Sequence, residues 1–324
     1  MPVAGLRALL GDSLDYAGLF PPADLPLEKA VRNYAKYQLG ADSWFLGRFI
    51  FPAKRLTELD PYMPLFAKSA PLLVSALALP SHTWKELTSK LRESLDLIFR
   101  FQHSHPNRVR VDSVEIAFPA DLSETVGVVE TRDLIPAAAE TIELSGLTGI
   151  TPFFELTARD RRQVGIVIDA IERHNQKWTG VHCRPAAFKL RTGGLRAEAF
   201  PTVQQVAFVI ENCAASGVRF KCTAGLHHSV RHYDDSVGTE MHGFLDIFGA
   251  AVLVHARSLS PSDLPSILGD KKASHFQFDE HGFAWKSMRA TVEQIASARR
   301  DLITSFGSCS FEEPLEDLQE LAQP

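Results

Sequence analysis

Between residues 43 and 223 the sequence alternates short apolar runs with helical patterns, six times in succession. Such alternation commits a chain to a parallel sheet with crossover helices, because parallel neighbours need a long connection. The strands are expected at Trp44–Phe51, Leu72–Leu79, Val109–Phe118, Ile150–Leu156, Ala186–Leu190 and Val218–Thr223. Between them lie a helix through Leu56 and Leu59, one from a Ser81 cap to Phe101, one over Thr131–Leu144, one capped by Thr157, and one from Pro201 to Ala215. Leu87, Leu91, Leu95 and Ile98 recur at helical spacing, as do Val164, Val167, Ile168 and Ile171. Six such units in 324 residues favour a closed (β/α)8 TIM-like barrel over an open doubly wound sheet.

The ends are less regular. Pro26 suits the first turn of a helix and Gly40 its C-terminus, so residues 1–42 read as a loop and an extra N-terminal helix. Residues 43–306 read as the barrel and 307–324 as a tail, in one domain. After residue 234 the pattern gives a buried helix over Gly243–Ala256, one strand over Ser274–Phe278 and a last helix over Ser287–Ser305. With one clear strand there, the barrel is expected to be irregular or incomplete towards its C-terminus.

Gly243–Ala256 is too short and, with Asp246 and His255, too polar to span a bilayer, and no signal-peptide pattern is present. The net charge of −5 gives no footprint for nucleic acid. Cys183, Cys213, Cys222 and Cys309 form no C-x-x-C pair and read as free thiols in a reducing, cytoplasmic compartment. The rigid loop Tyr16–Pro22 packs on the barrel or reaches a partner subunit, which leaves a homo-oligomer open.

Side-chain alternation points to a site. With Phe188 and Leu190 facing the helices, Lys189 and Arg191 face the lumen. Phe220 and Cys222 outward send Lys221 and Thr223 inward; Val114 and Ile116 outward send Glu115 inward; Pro152 and Phe154 outward send Glu155 inward. These charges sit towards the C-terminal strand ends, where barrel enzymes keep their chemistry. Burying an unpaired charge costs several kcal/mol, so they are expected to be paired, either as a structural network or as catalytic groups at one mouth.

Two of these strands carry the same phrase, Phe188-Lys189-Leu190-Arg191-Thr192-Gly193-Gly194 and Phe220-Lys221-Cys222-Thr223-Ala224-Gly225-Leu226. Two lysines at matching heights suit imine chemistry, since a neighbouring cation favours the neutral, nucleophilic amine. Glu115 or Glu155 would move the proton, and Thr192 or Thr223 would hold the substrate oxygen. Lys189-Leu190-Arg191-Thr192-Gly193 resembles the Lys-x-x-Thr-Gly strand end of the class I deoxyribose-phosphate-type aldolases, and Lys221 and Gly225 fit that family's second lysine strand. The resemblance implies a Schiff-base lysine in a TIM barrel, with no cofactor. Arg191 stands where the family has serine, and the second strand lacks its paired glycines and following arginine. Phosphate binding and the choice of nucleophile therefore stay open. The element Lys221-Cys222-Thr223-Ala224-Gly225-Leu226-His227-His228 also resembles one in a wider group without an assigned activity.

Two other chemistries compete. His227 and His228, in the loop after the second lysine, join Glu115 and Glu155 as alternative ligands for a divalent ion; His227 is otherwise a general acid or base and His228 a substrate contact. Arg48, Arg191, Lys189 and Lys221 would suit a carboxylate or phosphate in a barrel that binds a small anion or a partner protein without catalysis. Gly193 and Gly194 permit a tight turn and bring backbone amides towards such a ligand. The expected partner is thus a small anionic or sugar-like molecule. Cys222 is expected to face the helices as a packed thiol.

Overall fold

The computed structural model describes residues 2–119, 128–156 and 160–321. The chain begins with helix α1 (Ala4–Leu10) and a three-residue strand, β1 (Leu14–Tyr16). Helix α2 (Leu27–Leu39) runs between Pro26 and Gly40 as expected and buries Val31, Tyr34 and Tyr37. Strands β2 (Leu46–Pro52) and β3 (Leu72–Leu77) follow. The segment between them is a 3-10 run over Ala53–Leu65 rather than an α-helix; it carries Pro61 and Pro64, which cannot donate α-helical hydrogen bonds.

The central units match the expected alternation. They are α3 (Trp84–Ser104), β4 (Val109–Ala117), α4 (Val128–Glu143), β5 (Thr151–Leu156), α5 (Arg161–Lys177), β6 (Ala187–Arg191), α6 (Val203–Ser216) and β7 (Phe220–Thr223). Thr83, not Ser81, takes the N-cap position of α3. Thr157 lies outside the described residues; the cap of α5 is Asp160, whose carboxylate accepts from the Arg162 amide. Thr202 and Gln205 form a capping box on α6.

After β7 the chain departs from the simple repeat. A small hairpin, β8 (His232–Asp234) and β9 (Thr239–Met241), leads into the expected buried helix α7 (Phe244–Ala256). The loop expected over Ser258–Pro265 turns into a short helix, α8 (Asp263–Leu268). The expected strand near 274–278 is β10 (Phe276–Asp279), but it belongs to a separate antiparallel sheet with β11 (Gly282–Trp285) and β12 (Met288–Thr291). The last helix is shorter than expected: α9 covers Val292–Asp301, and strand β13 (Ile303–Ser308) follows. The expected tail holds a further helix, α10 (Glu312–Leu321).

Eight parallel strands close into a barrel in the order β1-β13-β7-β6-β5-β4-β3-β2, flanked by helices. Closure comes from the two strands that the sequence pattern did not separate from their flanks. Leu14, Asp15 and Tyr16 of β1 pair with Phe306, Gly307 and Ser308 of β13. Barrel strand numbering therefore starts at β1, so the strand beginning near Trp44 is the second. No helix among the described residues is long and apolar enough to cross a membrane.

The chain divides into two compact units. The first comprises Met1–Asp24, Ala41–Gly47 and Leu190–Pro324. In it α1 packs on α9 and β11, and the almost wholly buried α7 packs on α8 and α9. Phe45, Phe244 and Phe306 form an aromatic core there, with the Phe244 and Phe306 rings stacked at 5.1 Å. The second comprises Leu25–Gly40 and Arg48–Lys189. There α3, α4 and α5 pack side by side, and Tyr34 lies against Phe49 and Phe66.

Candidate active site

Five barrel strands share one local pattern, a charged residue between two apolar ones: Leu14-Asp15-Tyr16, Val114-Glu115-Ile116, Phe154-Glu155-Leu156, Phe188-Lys189-Leu190 and Phe220-Lys221-Cys222. All five charged residues are buried. They form two clusters, one in each compact unit.

In the second unit, Lys189 Nζ lies 2.5 Å from Glu115 Oε2 and 2.6 Å from Glu155 Oε2. The register makes this meeting possible. Glu115 pairs with Phe153, and Ala117 pairs with Glu155, so the two glutamates lie two steps apart on one face of neighbouring strands. Two serines support the arrangement: Ser75 Oγ donates to Glu115 Oε1 at 2.6 Å, and Ser113 Oγ donates to Ser75 Oγ at 2.9 Å. Burial favours the neutral amine of Lys189, but the charges and hydrogen bonds of Glu115 and Glu155 outweigh it and hold the group well above the ordinary lysine range. The resting amine is therefore an ammonium between two carboxylates.

In the first unit, Lys221 Nζ lies 2.6 Å from Asp15 Oδ2, which also accepts from Ser305 Oγ at 2.7 Å. Asp15 and Lys221 are 0 % and 1 % exposed. Gly47 makes room for this carboxylate, because a Cβ there would stand 2.6 Å from Asp15 Oδ1. Sequence reasoning missed Asp15, Ser75, Ser113 and Ser305. Asp15 had a usable signal in the apolar–charged–apolar pattern, whereas a serine on a buried strand face carries none.

The other expected site residues do more local work. Thr192 joins the ends of β6 and β7: its amide donates to Thr223 O at 2.8 Å, and its hydroxyl donates to Ala224 O at 2.6 Å. Its hydroxyl proton is thus directed at backbone. Gly193 lies against Gly225, where an added Cβ would come within 2.8 Å of the Gly225 Cα. Gly194 abuts Ala199, whose Cβ would stand 2.6 Å from its own. Arg191 is exposed and donates to Gly193 O at 3.1 Å. Thr223 pairs with Gly307 of β13. Arg48 makes a two-pronged ion pair with Asp112, at 2.5 and 3.1 Å, so its charge is already answered. Cys222 is fully buried, and burial pushes its thiol up.

His227 and His228 are tied to the end of the chain. His227 Nδ1 lies 3.1 Å from Glu313 Oε2, and His228 Nδ1 lies 3.3 Å from Asp317 Oδ1. Asp317 Oδ2 also accepts the Ser229 amide at 2.6 Å, so α10 clasps the loop after β7. Among the described residues no group of three or more His, Cys, Asp or Glu side chains is placed to hold a metal ion.

Burial lowers the His227 pKa, but Cys309 and Glu313 outweigh it and raise the group to about 9. A raised folded-state value stabilises the protein fully below the unfolded value of about 6.5 and loses that stabilisation as pH rises through about 9. Because Glu313 is half exposed, the effect is expected to be on the order of 1 kcal/mol. Thermal unfolding at pH 6.5 and 9.5 should show it, and Glu313→Gln should reduce the difference; an equal pH dependence in the variant would contradict the assignment.

No protein-family model matches the chain, and no curated protein matches it in sequence.

Proposed function

We propose that this chain is an enzyme that acts on a small polar carbonyl compound, sugar-like or carboxylated, through an imine on Lys189. The observation that carries this reading is the buried contact of Lys189 with both Glu115 and Glu155. Imine chemistry needs a proton taken from the amine and a proton returned to the departing oxygen. A single ammonium between two carboxylates supports both steps. One glutamate takes a proton from Lys189, the freed amine adds to the carbonyl carbon, and the extra proton that the nitrogen then carries passes to the carbonyl oxygen, giving the neutral carbinolamine. The protonated glutamate then gives its proton to the carbinolamine hydroxyl, which leaves as water. The second glutamate, still a carboxylate, removes a proton from the carbon next to the iminium, or from a hydroxyl one carbon further. The electron pair moves onto the iminium nitrogen and leaves an enamine. The first route leads to isomerisation and the second to carbon–carbon cleavage, so the reaction class is isomerase or aldolase-type lyase.

Lys221, the second lysine of the aldolase resemblance, is buried against Asp15. The four free cysteines support a reducing, cytoplasmic setting. The test is to incubate the protein with a panel of small aldehydes and ketones, with and without carboxylate or phosphate groups, and to add borohydride. An adduct mass is expected with at least one member, and Glu155→Gln should slow its formation about 10²-fold. Unchanged trapping in that variant would remove the proton-transfer role; no adduct across the panel would overturn the imine.

A further inference from the structure

The first compact unit also brings together a thiol, an imidazole and a carboxylate. Cys309 directly follows β13 and is 8 % exposed. Its Sγ lies 3.9 Å from both ring nitrogens of His227. His227 in turn meets Glu313 at 3.1 Å, and the Glu313 amide donates to Ser310 Oγ, which fixes the start of α10. Sulfur, imidazole and carboxylate thus lie in one cluster, and an imidazole charge beside sulfur is the setting in which proteins activate a thiol.

We propose that Cys309, His227 and Glu313 form a thiol modification site, at which the sulfur reacts with small electrophiles and hydroperoxides. Glu313 holds the imidazole in place and favours its charged form, and that charge faces negative charge developing on Sγ. With a hydroperoxide, Sγ attacks the terminal oxygen, an S–O bond forms and the O–O bond breaks. His227, already charged, gives a ring proton to the departing oxygen, which leaves as water or an alcohol, and the thiol proton takes its place on the imidazole. The sulfur is oxidised to a sulfenic acid and the peroxide oxygen is reduced. The other three cysteines have no such surroundings. Cys183 donates to Arg184 O, and burial, with the nearby Glu143 charge, pushes its thiol up to about 12. Cys213 and Cys222 are fully buried, and burial raises both.

The three remaining cysteines are internal controls for the test. The full chain is treated with iodoacetamide at pH 7, sampled over time, digested and weighed peptide by peptide; a parallel sample receives hydrogen peroxide and dimedone. Cys309 is expected to be alkylated at least about tenfold faster than each other cysteine and to carry the dimedone adduct. His227→Asn should slow Cys309 by about fivefold or more and leave the others unchanged, which separates activation from exposure. Should that variant not fold, Glu313→Gln carries the same test with a smaller slowing. A Cys309 rate no greater than that of the buried cysteines overturns the proposal. So does a rate that is unchanged or faster in the folded His227 variant, or in the Glu313 variant when that one carries the test.

Discussion

Replacing Lys189 with methionine is expected to cost about 3–5 kcal/mol of stability at pH 7, because it removes a cation bonded to two buried carboxylates. The two oxygens that now meet Nζ at 2.5 and 2.6 Å would face each other with like charge. A proton on either glutamate removes the repulsion, so the deficit should shrink as pH falls. Lys189→Met combined with Glu115→Gln and Glu155→Gln should recover at least half of the loss, since removing a whole buried ion cluster costs far less than removing one member. Urea denaturation midpoints of the three proteins check this. A Lys189→Met variant as stable as the parent would show that the cluster is not held as the geometry implies.

The second large effect is expected at Asp15. Asp15→Asn removes the carboxylate that meets Lys221 at 2.6 Å, in a place where both side chains are almost wholly inaccessible. A loss of about 3 kcal/mol is expected, together with loosening of the β1–β13 pairing that completes the barrel. The double variant Asp15→Leu/Lys221→Met should be more stable than Asp15→Leu alone, because it leaves no buried ammonium without its carboxylate. A double-mutant cycle should give a coupling of about 2 kcal/mol. Strict additivity would mean that the two residues do not depend on each other.

The barrel was legible in the sequence where strands were long and helices strongly periodic, from β2 to β7. Side-chain alternation brought Lys189 together with Glu115 and Glu155, because a period of two is unforgiving: one apolar neighbour on each side fixes the face. The closing strands were hidden for identifiable reasons. β1 is three residues long, too short for a periodic signal, although Leu14-Asp15-Tyr16 repeats the pattern of the other four. β13 reads Ile-Thr-Ser-Phe-Gly-Ser, with small polar residues such as Ser305 on its buried side, and it follows α9 almost without a break. The inserted sheet β10–β12 supplied a more obvious strand at Phe276–Asp279, which drew attention from the real one. The partners of His227 and His228 were illegible for another reason. Glu313 and Asp317 lie 86 and 89 residues further along the chain, and only folding brings them near. Without those partners, two adjacent histidines in a loop look like ligands or substrate contacts.

The position of a borohydride-trapped adduct tests the central claim most directly. After reduction in the presence of a carbonyl compound that the protein accepts, digestion and fragment masses assign the added carbon skeleton to one lysine. The adduct is expected on Lys189, lost in Lys189→Met and kept in Lys221→Met. An adduct on Lys221 alone, or one that persists in Lys189→Met, would contradict it.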